Sequence, residues 1–181
     1  MTHDPRRKAL KTKIMSLKLA KEVIAIEAQA LQALARRLDR SFLKAIDLIV
    51  KCPGRVIVTG MGKTGMIGRK VAATFSSTGT PSIWMHSAEA AHGDLGQVTG
   101  EDVVVMLSNS GETDETKTLL PLIKKIGAKI IALTGNVQST LARHSDIRLT
   151  VGRYGRSTIH EQAAGVAELP DLGKTSEAAV A

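Results

Sequence analysis

Arg55-Val56-Ile57-Val58-Thr59-Gly60-Met61-Gly62-Lys63-Thr64-Gly65 is the stretch that decides the fold of this 181-residue chain. A short β-branched run meets a glycine-rich turn, and helix-compatible sequence follows at once. Four more runs of the same kind recur downstream, at Ser82–Met85, Val103–Leu107, Ile130–Leu133 and Ile147–Val151. They are apolar throughout rather than alternating, as parallel strands read when helices cover both faces of their sheet. Helices are expected between them at Thr64–Ser77, Glu112–Ile126 and Ser139–His144, with at most a short one at Ala88–His92. Strand–helix–strand repetition predicts a parallel α/β sheet with right-handed crossovers. Ligands in such sheets bind beyond the carboxyl ends of the strands, so the residues just after each run are the ones to inspect.

Upstream, Ala20, Val23, Ile24, Leu31, Leu34 and Leu38 form one apolar stripe on a helix expected over Ser16–Leu38. Asp39 and Ser41 offer N-cap chemistry for a second helix carrying Phe42, Ala45, Ile46 and Ile49, which Cys52-Pro53-Gly54 stops. Residues 1–15 read as a basic arm and residues 16–151 as one domain. From Gly152-Arg153-Tyr154-Gly155-Arg156 onward the text turns polar, and 152–181 reads as loop and flexible tail.

Composition narrows the function. Aromatic residues are 2% of the chain, so Val, Ile, Leu, Ala and Met must build the core. A single cysteine, Cys52, rules out an intrachain disulfide and a cysteine-based zinc site. No stretch approaches the ~20 apolar residues that cross a bilayer, and no secretory leader is recognisable, so a cytoplasmic location without membrane contact is expected. The net charge is +8, but much of the excess sits in the first 21 residues. With few aromatics for base stacking and no reading motif, nucleic acid is not an expected partner. A positive balance also steers small anions.

Three loops could carry chemistry. Gly60-Met61-Gly62-Lys63-Thr64-Gly65 satisfies G-x-G-x-x-G, yet the second strand ends Trp84-Met85-His86 without the acidic residue a dinucleotide needs. A Walker loop would need glycine where Ile57 stands. What survives is a glycine turn at a helix N-terminus with a cation, Lys63, and a hydroxyl: an anion site, or a tight turn with a solvated lysine. Ser108-Asn109-Ser110-Gly111-Glu112-Thr113 follows the third strand, and Ser108, Ser110 and Thr113 could donate to phosphate oxygens or cap the next helix. Glu115, one turn on, could transfer protons or complement the helix dipole. After the second strand, His86, Glu89, His92 and Asp94 could bind a metal or move protons, although their spacing matches no standard zinc pattern.

Together these loops, with Ser77-Thr78-Gly79-Thr80-Pro81-Ser82 and Glu89-Ala90-Ala91-His92-Gly93-Asp94-Leu95-Gly96, resemble the sugar isomerase (SIS) domain of bacterial arabinose 5-phosphate isomerases, from about Val23 to Val151. The resemblance implies a three-layer αβα sandwich around a five-stranded parallel, flavodoxin-like sheet, preceded by N-terminal helices and assembled as a homo-oligomer (dimer or tetramer). It implies interconversion of D-ribulose 5-phosphate and D-arabinose 5-phosphate, a step feeding Kdo and lipopolysaccharide synthesis. By motif, Lys63 and Glu115 match catalytic residues. Gly79, Thr80, His86 and His92 match contacts to the phosphorylated pentose, as does part of the helix from Thr118 to Gly127. No cofactor is required; zinc at His86 would be inhibitory.

The implied mechanism is a proton shuttle with Glu115 as base and Lys63 beside the developing enediolate, the Ser108–Thr113 loop holding the phosphate. The chain departs from the family after Val151. The family's further catalytic glutamate and histidine have no counterpart, His160 and Glu161 standing in a different context, and the usual CBS pair is missing. The expectation is a truncated and weakened isomerase, or alternatively a non-catalytic sugar-phosphate-binding module or sensor.

Overall fold

The computed structural model describes residues 5–151, and side chains from residue 16. Two helices come first, α1 (Pro5–Arg37) and α2 (Arg40–Val50). Then strands and helices alternate: β1 (Val56–Gly60), α3 (Gly62–Ser77), β2 (Ser82–His86), α4 (Ser87–Ala90), a 3-10 turn at Asp94–Gln97, β3 (Val103–Leu107), α5 (Asp114–Ile126), β4 (Lys129–Thr134), α6 (Thr140–His144) and β5 (Ile147–Thr150). All four strand pairings are parallel, in the order β2-β1-β3-β4-β5. That is the flavodoxin-like order.

Period-two alternation sorts each strand between the two faces. Val56, Val58, Val103, Val105 and Ile131 point to one side, where Ala45 of α2 and Val71, Ala72 and Phe75 of α3 cover them. Ile57, Val104, Met106, Ile130 and Ala132 point to the other, under Leu119, Leu120 and Ile123 of α5 and Leu141 of α6. The central strands β1 and β3 are buried along their whole length. This is the double coverage that their unbroken apolar runs predict.

Differences from expectation are local. α1 begins at Pro5 rather than near residue 16, because proline suits the first helical position and the following Lys, Arg, Ala and Leu are strong helix formers. The arm expected over residues 1–15 is therefore helical from Pro5. The stripe on α1 also divides: Val23 and Leu34 are half-buried, whereas Ile24 and Leu31 stand 65% and 67% exposed. α5 starts at Asp114 with Thr113 at its N-cap, so Glu112 lies in the loop and Ser110 does not cap the helix. The segment 152–181 lies outside the described residues.

Candidate active site

The crossover leaving β1 runs to β2 on one side, and the crossover leaving β3 runs to β4 on the other. A crevice therefore opens at the carboxyl ends of β1 and β3, where α3 and α5 depart to opposite faces. Gly60 is in register with His86 on one side and Leu107 on the other. The loops after β1, β2 and β3 thus leave at one level, from strands ~5 Å apart.

Glycine lets α3 start close to the sheet. A Cβ on Gly65 would lie 3.1 Å from the Gly60 carbonyl oxygen and 3.4 Å from the Trp84 ring. Lys63 is the second residue of α3, exposed and without an ion-pair or hydrogen-bond partner among the described residues. Thr64 is committed elsewhere: its hydroxyl donates to the Met61 carbonyl at 2.8 Å. Neither Met61 of α3 nor Thr113 of α5 makes a side-chain cap, whereas Asp39 caps α2 and Ser139 caps α6. The short α4 after β2 has no side-chain cap either, so the first N–H groups of α3 and α5 at the crevice are open to an anion without being unique in that.

The hydroxyls after β3 are already at work within their loop. Ser108 is buried and its Oγ accepts from the Gly111 N–H at 3.1 Å; Ser110 Oγ accepts from the Glu112 N–H at 3.2 Å. An accepting hydroxyl keeps its own proton, so both can still donate outward. Thr113 Oγ1 is 2.8 Å from Thr116 Oγ1. Glu115, second in α5, is half-buried and unpartnered among the described residues.

His86 ends β2 on the α3 side, edge-on to Trp84 with ring centroids 6.4 Å apart. Its Nδ1 is buried without a hydrogen-bond partner. His92 and Glu89 are exposed, and His92 falls in the turn just beyond α4, its N–H donating to the Glu89 carbonyl at 2.9 Å. Among the described residues no three His, Cys, Asp or Glu side chains come together. Gly79 and Thr80 lie apart from the crevice in this chain. They precede β2 at its amino end, about a strand length (~15 Å) away. There they close α3, Gly79 at φ 93° with Gly79 N–H on Ser76 O and Thr80 N–H on Phe75 O, a Schellman cap.

Sequence reasoning passed over Glu112. Its carboxylate accepts from the Thr140 N–H at 2.6 Å and the Thr140 hydroxyl at 3.0 Å, at the start of α6. Those donors hold its carboxyl below the usual range; partial burial opposes the shift, and Lys117 and Arg143 add to it. Nothing in the sequence signals a contact spanning 28 residues.

An open groove of about 550 Å³ lies elsewhere, lined by Leu38, Phe42, Leu133, Leu149 and Val151 among others. Its wall is largely apolar, and Arg37 and Arg148 also line it.

The sequence pattern that defines the SIS domain matches residues 48–158. The chain belongs to the SIS domain family. It is 50% identical over 131 residues to the arabinose 5-phosphate isomerase KdsD of Escherichia coli K12, and 50% identical over 130 residues to KdsD of Pseudomonas aeruginosa PAO1. Each match covers 72% of this chain and 40% of the relative, so the chain spans about 40% of the length of these curated relatives. The SIS fold also superposes on an E. coli CFT073 protein solved in complex with A5P, with a TM-score of 0.74 and 36% identity, covering 85% of this chain and 87% of that one. The five-stranded parallel sheet expected from sequence is thus the family's own. Among the described residues no helix is long and apolar enough to cross a membrane.

Proposed function

We propose that this SIS domain is an aldose–ketose isomerase, interconverting D-arabinose 5-phosphate and D-ribulose 5-phosphate. The observation that carries the reading is the pair of helix N-termini without side-chain caps at the β1–β3 crevice, with Lys63 and Glu115 beside them and unpartnered among the described residues. The identity to arabinose 5-phosphate isomerases and the A5P-bound neighbour support the same substrate class.

The phosphate would rest on the first N–H groups of α5 and the outward protons of Ser108 and Ser110. This anchor fixes which sugar carbons reach the carboxylate. Glu115 would take the proton from C2 of the aldose, giving a C1–C2 enediolate. The proton returns to C1, and the O2 hydroxyl proton passes to O1, so atoms and charge balance. Lys63 would stabilise the enediolate oxygen. His86 and His92 would contact the sugar from the β2 side of the crevice. The reaction would feed Kdo and lipopolysaccharide synthesis.

The test is turnover of arabinose 5-phosphate with ribulose 5-phosphate monitored. Lys63→Ala and Glu115→Gln should each abolish it; wild-type turnover in both would refute the assignment. The alternative reading is a sugar-phosphate-binding module without catalysis. No turnover, with melting still raised by arabinose 5-phosphate, would support that reading.

A further inference from the structure

Glu112 faces away from the crevice, yet the loop that would hold the phosphate is tied down through it. Gly111 N–H is taken by Ser108 Oγ at 3.1 Å, and the Gly111 carbonyl accepts from the Leu141 N–H at 3.1 Å. The Asn109 carbonyl accepts from the Gly135 N–H at 3.0 Å and the Thr134 hydroxyl at 3.3 Å. The Glu112 carboxylate closes this set on Thr140 through both its N–H and its hydroxyl. Gly111 has φ 66° and presses against Ser139, where a Cβ would collide with the serine side chain. The loop after β3 is therefore clasped to the loop after β4.

We propose that Glu112 is a positioning residue, setting the shape of the Ser108–Thr113 loop for a phosphorylated ligand by clasping it to the first turn of α6. The inference rests on the isomerase reading above for its ligand. Among the described residues the Glu112 grip is the contact between this loop and α6 that a loop side chain makes, so it is the one a loop substitution can remove. α5 is held independently by the buried Leu119, Leu120 and Ile123, so Glu115 keeps its place when the clasp is lost. Loss of Glu112 should therefore weaken binding more than it slows the chemical step. Glutamine can replace glutamate here: its carbonyl oxygen accepts from the Thr140 N–H while its amide donates to the Thr140 hydroxyl. The groups facing Glu112 are the cations Lys117, 3.7 Å away, and Arg143. Both favour its ionised form, so the clasp should persist into mildly acidic solution.

The experiment uses the full chain with Glu112→Ala and Glu112→Gln. Hydrogen exchange at the Gly111, Gly135 and Leu141 amides reads the clasp directly, and steady-state kinetics with arabinose 5-phosphate reads its consequence. Glu112→Ala should speed exchange at the three amides and raise KM by about tenfold with kcat within about threefold, the size of effect a lost charge-assisted hydrogen bond has on one binding contact. Glu112→Gln should restore both. Unchanged exchange in Glu112→Ala overturns the proposal. Faster exchange with unchanged KM also overturns it, as does a fall in kcat alone. If the wild type turns nothing over, the isomerase reading fails by itself. The Kd for arabinose 5-phosphate from calorimetry then replaces KM, and a wild type that does not bind it overturns the positioning role as well. Circular dichroism melting of both variants separates local loosening from unfolding.

Discussion

Asp102 should be among the most expensive side chains to remove. It precedes β3 with 2% of its surface exposed, and it accepts from Arg55 N–H at 2.7 Å, Thr99 N–H at 2.7 Å and the Thr99 hydroxyl at 3.0 Å. It thereby fastens the residue that opens β1 to the turn that opens β3, at the end of the sheet opposite the crevice. Burial alone would raise its carboxyl, but the Arg55 and Thr99 N–H groups, the Thr99 hydroxyl and the Arg55 guanidinium outweigh it and hold the group below its ordinary range. Asp102→Ala leaves two partly buried N–H donors without an acceptor. At ~1–3 kcal/mol for each orphaned group the cost is ~3 kcal/mol, a large part of the ~5–15 kcal/mol of a whole domain. Asp102→Asn retains one good acceptor and turns an NH2 toward the other donors, and should fall between. Urea unfolding at pH 7 and in steps to pH 3 is the assay. Because the folded pKa is depressed, the stabilisation is complete above the unfolded value of about 4 and disappears as pH falls through the folded one. The gap between wild type and Asp102→Ala should narrow over that window. A loss under ~0.5 kcal/mol at pH 7, or a gap that stays constant down to pH 3, would refute the argument.

Gly68→Ala should destabilise the domain although alanine favours helix by ~1 kcal/mol, since overpacking costs ~1–3 kcal/mol. The new Cβ would sit 2.6 Å from Trp84 Cζ3 and 3.3 Å from Val58 Cγ1, and a shift in tryptophan emission would report the displaced ring. Asp39→Ala removes the side-chain cap that accepts from the Ser41 N–H at 2.7 Å and should cost ~1 kcal/mol in thermal melts, with Asp39→Asn restoring most of it. Arabinose 5-phosphate at 100 times its Kd should stabilise the wild type by ~2.7 kcal/mol, and Lys63→Ala, which acts on the enediolate rather than the phosphate, should keep most of that protection while losing turnover.

Legibility followed the range of the interactions. β1 and β3 could be read because double coverage keeps five consecutive residues buried, while the edge strands β2 and β5 are only half-buried and β5 exposes Arg148 in its middle. β3 falls on Val103–Leu107 as expected; β1, β2 and β5 differ by one residue at one end and β4 by one residue at each end. The glycine turn after β1 and the serine-rich loop after β3 could be read because short-range backbone demands select those residue types. The Glu112–Thr140 contact spans 28 residues and the Asp102–Arg55 contact 47, and no local pattern encodes either. The start of α5 was misplaced for a related reason. Ser110 looks like a cap, but its hydroxyl serves a turn of its own two residues on, and the helix waits for Thr113. Gly79 and Thr80 read as ligand contacts by resemblance, whereas within one chain their backbone closes α3 at the far end of β2.

The uncapped starts of α3 and α5 have a consequence for how this protein should be handled. A helix end lacking a side-chain partner is an unfinished hydrogen-bond inventory, and here two such ends are open to the same crevice. The bound phosphate would serve as the structure's missing cap, contributed from solution rather than by the chain. Ligand concentration then acts as one more stabilising residue whose occupancy the experimenter sets. If the crevice holds phosphate as proposed, the protein should melt higher in phosphate buffer than in a buffer without oxyanions.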